Sequence, residues 1–152
     1  MILTQILQPG CVKVPLTSTD KRSAITELVN LLDANNLLSD KDAALEAVLT
    51  REQTKSTGIG LGVAIPHGKC RAVSQLVMAI GIARHAIYFY SVDGKPVSII
   101  ILLISPSDQT GPHIQALAQI SRLMLDEQLK EKLRKAHSAK DVCELLSSKE
   151  NE

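Results

Sequence analysis

The sequence predicts an α/β fold: one domain over residues 1–152, with a mixed parallel and antiparallel β-sheet flanked by helices on both faces. Three observations predict it. Val97 to Ile104 is aliphatic at all but one position, so this strand cannot be half-exposed and must be covered on both sides. Helix-periodic segments lie both before and after the β-type runs. No repeat, low-complexity tract or Pro/Gly/Ser linker divides the 152 residues, a length that suits one domain.

The elements follow in order. Cys11-Val-Lys-Val alternates and stops at Pro15, as a short strand does. Ser18 or Thr19 is placed to cap a helix carrying Ile25, Leu28, Val29 and Leu32 at i, i+3, i+4 and i+7, ended by Asn35-Asn36. Ser39 is expected to cap a second helix, with Leu45, Val48 and Leu49 on one side, running to about Arg51. Ser56 to Gly68 then concentrates half of the eight glycines. Leu76 to Ile82 and Ile87 to Val92 are β-type runs, and Asp93-Gly94 signals the hairpin turn into the strand from Val97. After Ser105-Pro106 a helix is expected near Gly111-Pro112, with Ile114, Leu117, Ala118 and Met124 inward. Two short helices follow, one from Asp126 with Leu129 and Leu133, one from Ser138 with Val142, Leu145 and Leu146. Residues 149–152 are polar and expected to fray.

Composition removes several classes of function. Leu, Ile and Val supply 21, 14 and 10 residues, whereas Tyr88, Phe89 and Tyr90 are the only aromatics, so the core must be aliphatic. A net charge of +1 and scarce aromatics argue against a nucleic-acid surface. The longest apolar run, Ile99 to Ile104, falls far short of the roughly 20 residues of a membrane span. The first residues carry no basic region of a signal peptide, and Cys11, Cys70 and Cys143 are odd in number and widely spaced. These features predict a cytoplasmic domain without direct membrane insertion.

The histidines are the first candidates for chemistry. His67 lies between Pro66 and Gly68; proline fixes the backbone before the ring, and glycine admits a partner or phosphate behind it. A partly exposed loop histidine is an equally fair reading of that tripeptide alone. His113 follows Pro112 at an expected helix start, where free amides and the positive dipole end favour an anion and a neutral imidazole; an incidental first-turn residue is the plainer alternative. His85 and His137 read as surface residues. Arg51 at a helix C-terminus is ordinarily a favourable charge placement, but folded onto the His67 loop its guanidinium would grip phosphate oxygens at two points. Metal binding is a poor explanation, because His67 and Cys70 lack a second pair. A Cys70–His67 nucleophile pair lacks an orienting carboxylate, and Cys70 is as well read as a small buried residue. Gly58, Gly60 and Gly62 alternate, matching neither a P-loop nor a dinucleotide fingerprint.

Taken together, Arg51-Glu52, Ser56-Thr57-Gly58-Ile59-Gly60 and Gly62-Val63-Ala64-Ile65-Pro66-His67-Gly68 resemble the enzyme IIA domain of the bacterial sugar phosphotransferase system (PTS), of the fructose/mannitol and nitrogen-regulatory type. Asp93-Gly94-Lys95-Pro96-Val97 before an aliphatic strand, and His113-Ile114 before Leu117, continue the likeness over essentially the whole chain. The resemblance implies a phosphocarrier that takes a phosphoryl group on His67 from the phosphohistidine of the small phosphocarrier protein. It implies that Arg51 and His113 line the same pocket, that no cofactor or metal is needed, and that a IIB protein or a regulatory target receives the signal. Thr57 and Gly68 are expected to support the phosphate loop, with backbone amides near Gly68 available to the transferring group. Ile59 and Leu61 are expected to form an apolar rim for the partner, although Ile59 could equally tuck into the core. Two features depart from the family pattern: Leu61 stands where many relatives carry a polar residue, and the strand after Pro96 lacks a common phenylalanine. The rival readings are a regulatory interaction module switched by phosphorylation without onward transfer, and a cysteine or histidine hydrolase.

Overall fold

A computed structural model describes residues 2–152, so Met1 of the expected 1–152 domain lies outside the described residues. The strands are β1 (Val12–Lys13), β2 (Gly58–Gly60), β3 (Val63–Ala64), β4 (His67–Cys70), β5 (Val77–Ile87) and β6 (Val97–Pro106). The helices are α1 (Lys21–Ala34), α2 (Lys41–Thr54), α3 (Thr110–Leu123), α4 (Glu127–Arg134) and α5 (Ala139–Glu150).

The sheet runs β1-β5-β6-β3-β2, with β4 also pairing β6. It is mixed, as expected. β1 lies parallel to β5, and β3 and β4 lie parallel to β6, whereas the β5–β6 and β2–β3 pairs are antiparallel. Every residue of β6 except Ser98 is buried, so both faces of the central strand are covered, as its uniform aliphatic sequence requires. α1 packs on α2, and α4 on α5. The core is mainly aliphatic, joined by Cys11, Met78, Met124 and the fully buried Phe89.

Several local expectations are corrected. Asp20, not Ser18 or Thr19, caps α1 by accepting from Ser23 N–H; Ser18 instead donates to Glu27. Asp40, not Ser39, caps α2, and Ser39 bonds the Ala72 carbonyl. In both places the cap sits one residue later, where a carboxylate is the stronger acceptor. The run Ile87 to Val92 is not a strand. β5 continues to Ile87 with a register shift after Ile82, its pairing with β6 ends there, and Tyr90 takes a left-handed φ of 58°. The Asp93-Gly94 turn is present, with Gly94 N–H donating to the Ser91 carbonyl.

The phase of α3 also differs. His113, Ala116, Ile120 and Leu123 face inward, while Ile114 and Ala118 are exposed. Taking Ile114 as inward misplaces the face by one residue, about 100° of rotation. Met124 is buried as expected and Leu117 half-buried. At the C-terminus, α5 runs through Glu150 into the stretch expected to fray. The Glu150 carboxylate accepts from Leu3 N–H at 2.8 Å and Thr4 N–H at 3.0 Å, tying the two ends of the chain together.

Candidate functional site

β4 creates the site by simple alternation. Successive side chains of a strand point to opposite faces, so His67 and Lys69 share one face and Gly68 and Cys70 the other. A Cβ on Gly68 would stand 3.2 Å from the Ala47 and Val48 backbone of α2. The close approach of α2 therefore leaves little room for a side chain at Gly68. Cys70 packs against the core on the face away from His67, so the thiol–imidazole pair is not formed.

On the other face Lys69 Nζ donates to Thr110 Oγ1 at 3.1 Å, which ties β4 to the first residue of α3. His113, one turn on, brings its ring centroid to 5.5 Å from that of His67, the planes tilted by 56°. Two histidines 46 positions apart in sequence thus lie side by side.

Each ring has one nitrogen engaged. His67 Nδ1 lies 2.7 Å from the Ile65 carbonyl oxygen. A carbonyl can only accept, so Nδ1 carries the proton and Nε2 keeps the lone pair. Burial lowers the His67 pKa; the bond to Ile65 opposes that shift, and the nearby Arg51 charge adds a smaller lowering. His113 is buried, with Nδ1 2.6 Å from Ser105 Oγ. Its pKa falls to about 4, chiefly by burial and then through its neighbours His67 and Lys69, which oppose a second positive charge beside them. Both imidazoles are neutral at pH 7.

Arg51 is half-buried in the last turn of α2 and donates from Nη1 to the Lys55 carbonyl at 3.0 Å, closing its own helix end. Its charge reaches His67, but no other hydrogen bond of the guanidinium is made among the described residues. Thr57 is buried, and its hydroxyl donates to Glu52. Its donor is spent on a carboxylate, so Thr57 anchors the loop and has no proton left for a phosphate oxygen.

Ile59 and Leu61 are both exposed, at 40% and 47%, so Ile59 does not tuck into the core. Gly60, Leu61 and Gly62 all have positive φ, with Leu61 at 61°. The turn is held from both sides: Leu61 N–H donates to Asp93, and Lys130 Nζ donates to the Leu61 carbonyl. His85 and His137 lie on the surface.

Sequence reading assigned no role to three residues of this neighbourhood. Lys69 was detectable as the residue two beyond His67 in a strand. Glu52 continues the buried α2 stripe Ala44, Val48 at i+4, a signal that a carboxylate in an apolar phase carries. Ser105 had no local signal, because its partner His113 approaches from another element.

The fold and the paired histidines define an α/β domain built to present one imidazole beside another. Residues 5–149 match the family model described as phosphoenolpyruvate-dependent sugar phosphotransferase system, EIIA 2, and the chain belongs to that family. A PTS system fructose-specific EIIA component of Haloferax volcanii is 35% identical over 84% of this chain and 82% of its own length. A PTS system fructose-specific EIIABC component of Bacillus subtilis is 31% identical over 97% of this chain, which spans only 23% of that larger protein. The crystal structure of nitrogen regulatory protein IIA-Ntr from Neisseria meningitidis superposes with a TM-score of 0.87 at 31% identity, covering 95% of this chain and 98% of its own. Among the described residues no helix is long and apolar enough to cross a membrane.

Proposed function

We propose that this domain is a phosphocarrier in which His67 Nε2 accepts a phosphoryl group from the phosphohistidine of a small phosphocarrier protein. The observation that carries this reading is the His67 Nδ1–H bond to the Ile65 carbonyl, which leaves Nε2 as the free nucleophile. In the transfer, the Nε2 lone pair forms the new P–N bond. The old P–N bond breaks, and its electron pair stays on the donor imidazole. The proton stays on His67 Nδ1, donated to the Ile65 carbonyl, which offsets the positive character of the phosphorylated ring.

The transition state is loose, with charge spread over three equatorial oxygens. Neutral His113 supplies an N–H donor to that charge, Lys69 an exposed cation on the same strand face, and Arg51 its unengaged guanidinium N–H groups. Catalysis then needs neither metal nor cofactor. Ile59 and Leu61 form the apolar rim on which partners dock. Onward transfer goes to a IIB-type acceptor, or the phosphorylated state is read by a regulatory target, in the cytoplasm where such relays operate.

The test is incubation with phosphoenolpyruvate and the two upstream relay proteins, read by ¹⁵N and ³¹P NMR. A phosphoramidate on Nε2 of His67 is the expected product. Phosphate on any other residue, or none while the relay proteins are charged, overturns the reading.

A further inference from the structure

We infer that Ser105 is a positioning residue that fixes the tautomer of His113, so that His113 presents its Nε2–H to the pocket. The inference rests on the phosphocarrier reading for its purpose, but its geometry stands apart from that reading.

Ser105 sits in β6 opposite Lys69 of β4 and is fully buried. Among the described residues its Oγ makes one hydrogen bond, 2.6 Å to His113 Nδ1. Two arrangements are possible. If His113 were protonated on Nδ1, it would donate to Oγ, and the Ser105 hydroxyl proton would be left buried without an acceptor. Such an unmade donor is costly. If the hydroxyl donates to the Nδ1 lone pair, both groups are satisfied and the ring proton lies on Nε2. No other acceptor for the Ser105 hydroxyl is found among the described residues, so the second arrangement is selected.

The consequence is chemical. A neutral imidazole beside a nucleophilic imidazole is useful to a developing phosphoryl charge only if its free nitrogen carries a proton; in the other tautomer it would offer a lone pair to an anion and repel it. With Nδ1 engaged by Ser105, Nε2 is the ring nitrogen left for the pocket. The burial that keeps His113 uncharged makes this choice matter, since an imidazolium would donate from both nitrogens.

The experiment is long-range ¹H–¹⁵N NMR at pH 7 on the wild type, Ser105→Ala and Ser105→Thr, with rapid-quench phosphoryl acceptance and thermal melts on the same samples. The expected wild-type result is His113 with a pyridine-like Nδ1 and a pyrrole-like Nε2. In Ser105→Ala the two nitrogen shifts should move towards each other as tautomers mix. Acceptance should slow roughly three- to tenfold, the worth of one orienting hydrogen bond. Ser105→Thr, which keeps the hydroxyl, should restore both. A pyrrole-like Nδ1 in the wild type overturns the inference, as do unchanged His113 shifts in a folded Ser105→Ala. A wild type that takes no phosphate would defeat the phosphocarrier reading and leave the tautomer result intact.

Discussion

Both carboxylate oxygens of Glu52 hold Thr57, one accepting its N–H at 2.8 Å and the other its hydroxyl at 2.5 Å. The same buried carboxylate pairs with Lys21 Nζ at 2.6 Å, and Lys21 in turn donates to the Phe89 carbonyl and lies over the Phe89 ring. One side chain therefore couples the end of α2, the start of the glycine-rich loop and the N-terminal turn of α1. Glu52→Ala should cost about 2–4 kcal/mol, because it leaves Lys21 and the Thr57 donors without their acceptor. Denaturant unfolding reads this, and a loss below about 0.5 kcal/mol would show that the network is dispensable.

His67→Ala should fold normally and accept no phosphate, whereas Cys70→Ala should keep most of the uptake, since Cys70 faces away from the pocket. Mass spectrometry of the two charged variants reads both statements. Full loading of the first, or a folded but inactive second, contradicts the site geometry.

His113→Ala should still be phosphorylated on His67, but about 10²-fold more slowly, the usual effect of removing one preorganised donor to a developing charge. Arg51→Lys should also be slowed, because a point charge cannot reproduce a planar two-point grip. Rates equal to wild type for either variant would place that residue outside the transition-state contacts.

The pocket histidines make stability depend on pH. The folded His113 titrates at about 4 and His67 is also lowered, both below the 6.5 of a free imidazole. The unfolded chain therefore binds more protons below about pH 6.5. The stabilisation is complete above that pH and is lost as pH falls towards 4. His113 alone should account for on the order of 2–3 kcal/mol across this window. His113→Gln, which keeps a hydrogen-bonding group for Ser105, should flatten the curve. Parallel stability–pH curves for wild type and variant would refute the assignment.

Leu61 holds a left-handed backbone that costs a leucine about 1–2 kcal/mol. Leu61→Gly should relieve this strain and stabilise the fold by roughly 0.5–1 kcal/mol, net of the added freedom of the unfolded chain. Phosphoryl transfer should nevertheless fall in Leu61→Gly and further in Leu61→Asp, because both remove apolar contact from the rim. Docking should be weak and only modestly salt-sensitive, given an apolar rim and a net charge of +1. Thermal melts and transfer rates on both variants check this. A Leu61→Asp variant with unchanged transfer would remove Leu61 from the docking surface.

What the sequence by itself determined is the material whose cause is local. The aliphatic run from Val97 forces a two-sided strand, the 3.6-residue stripe of α1 forces its buried face, and the Ile65-Pro66-His67-Gly68 segment singles out His67 as the proposed acceptor through its resemblance to a known family. Tertiary structure alone decided what depends on elements distant in sequence. The inward face of α3 carries His113, bonded to Ser105 of β6, beside Ala116, Ile120 and Leu123, while Ile114 faces solvent. Gly68 is glycine because α2 passes within contact distance, and Thr57 spends its hydroxyl on a carboxylate that an apolar stripe brings beneath it. Local periodicity sets which elements form, because hydrophobic burial acts on spacing along the chain. Which polar groups meet is set by the packing of those elements, since a buried donor or acceptor must find its partner wherever the fold brings one.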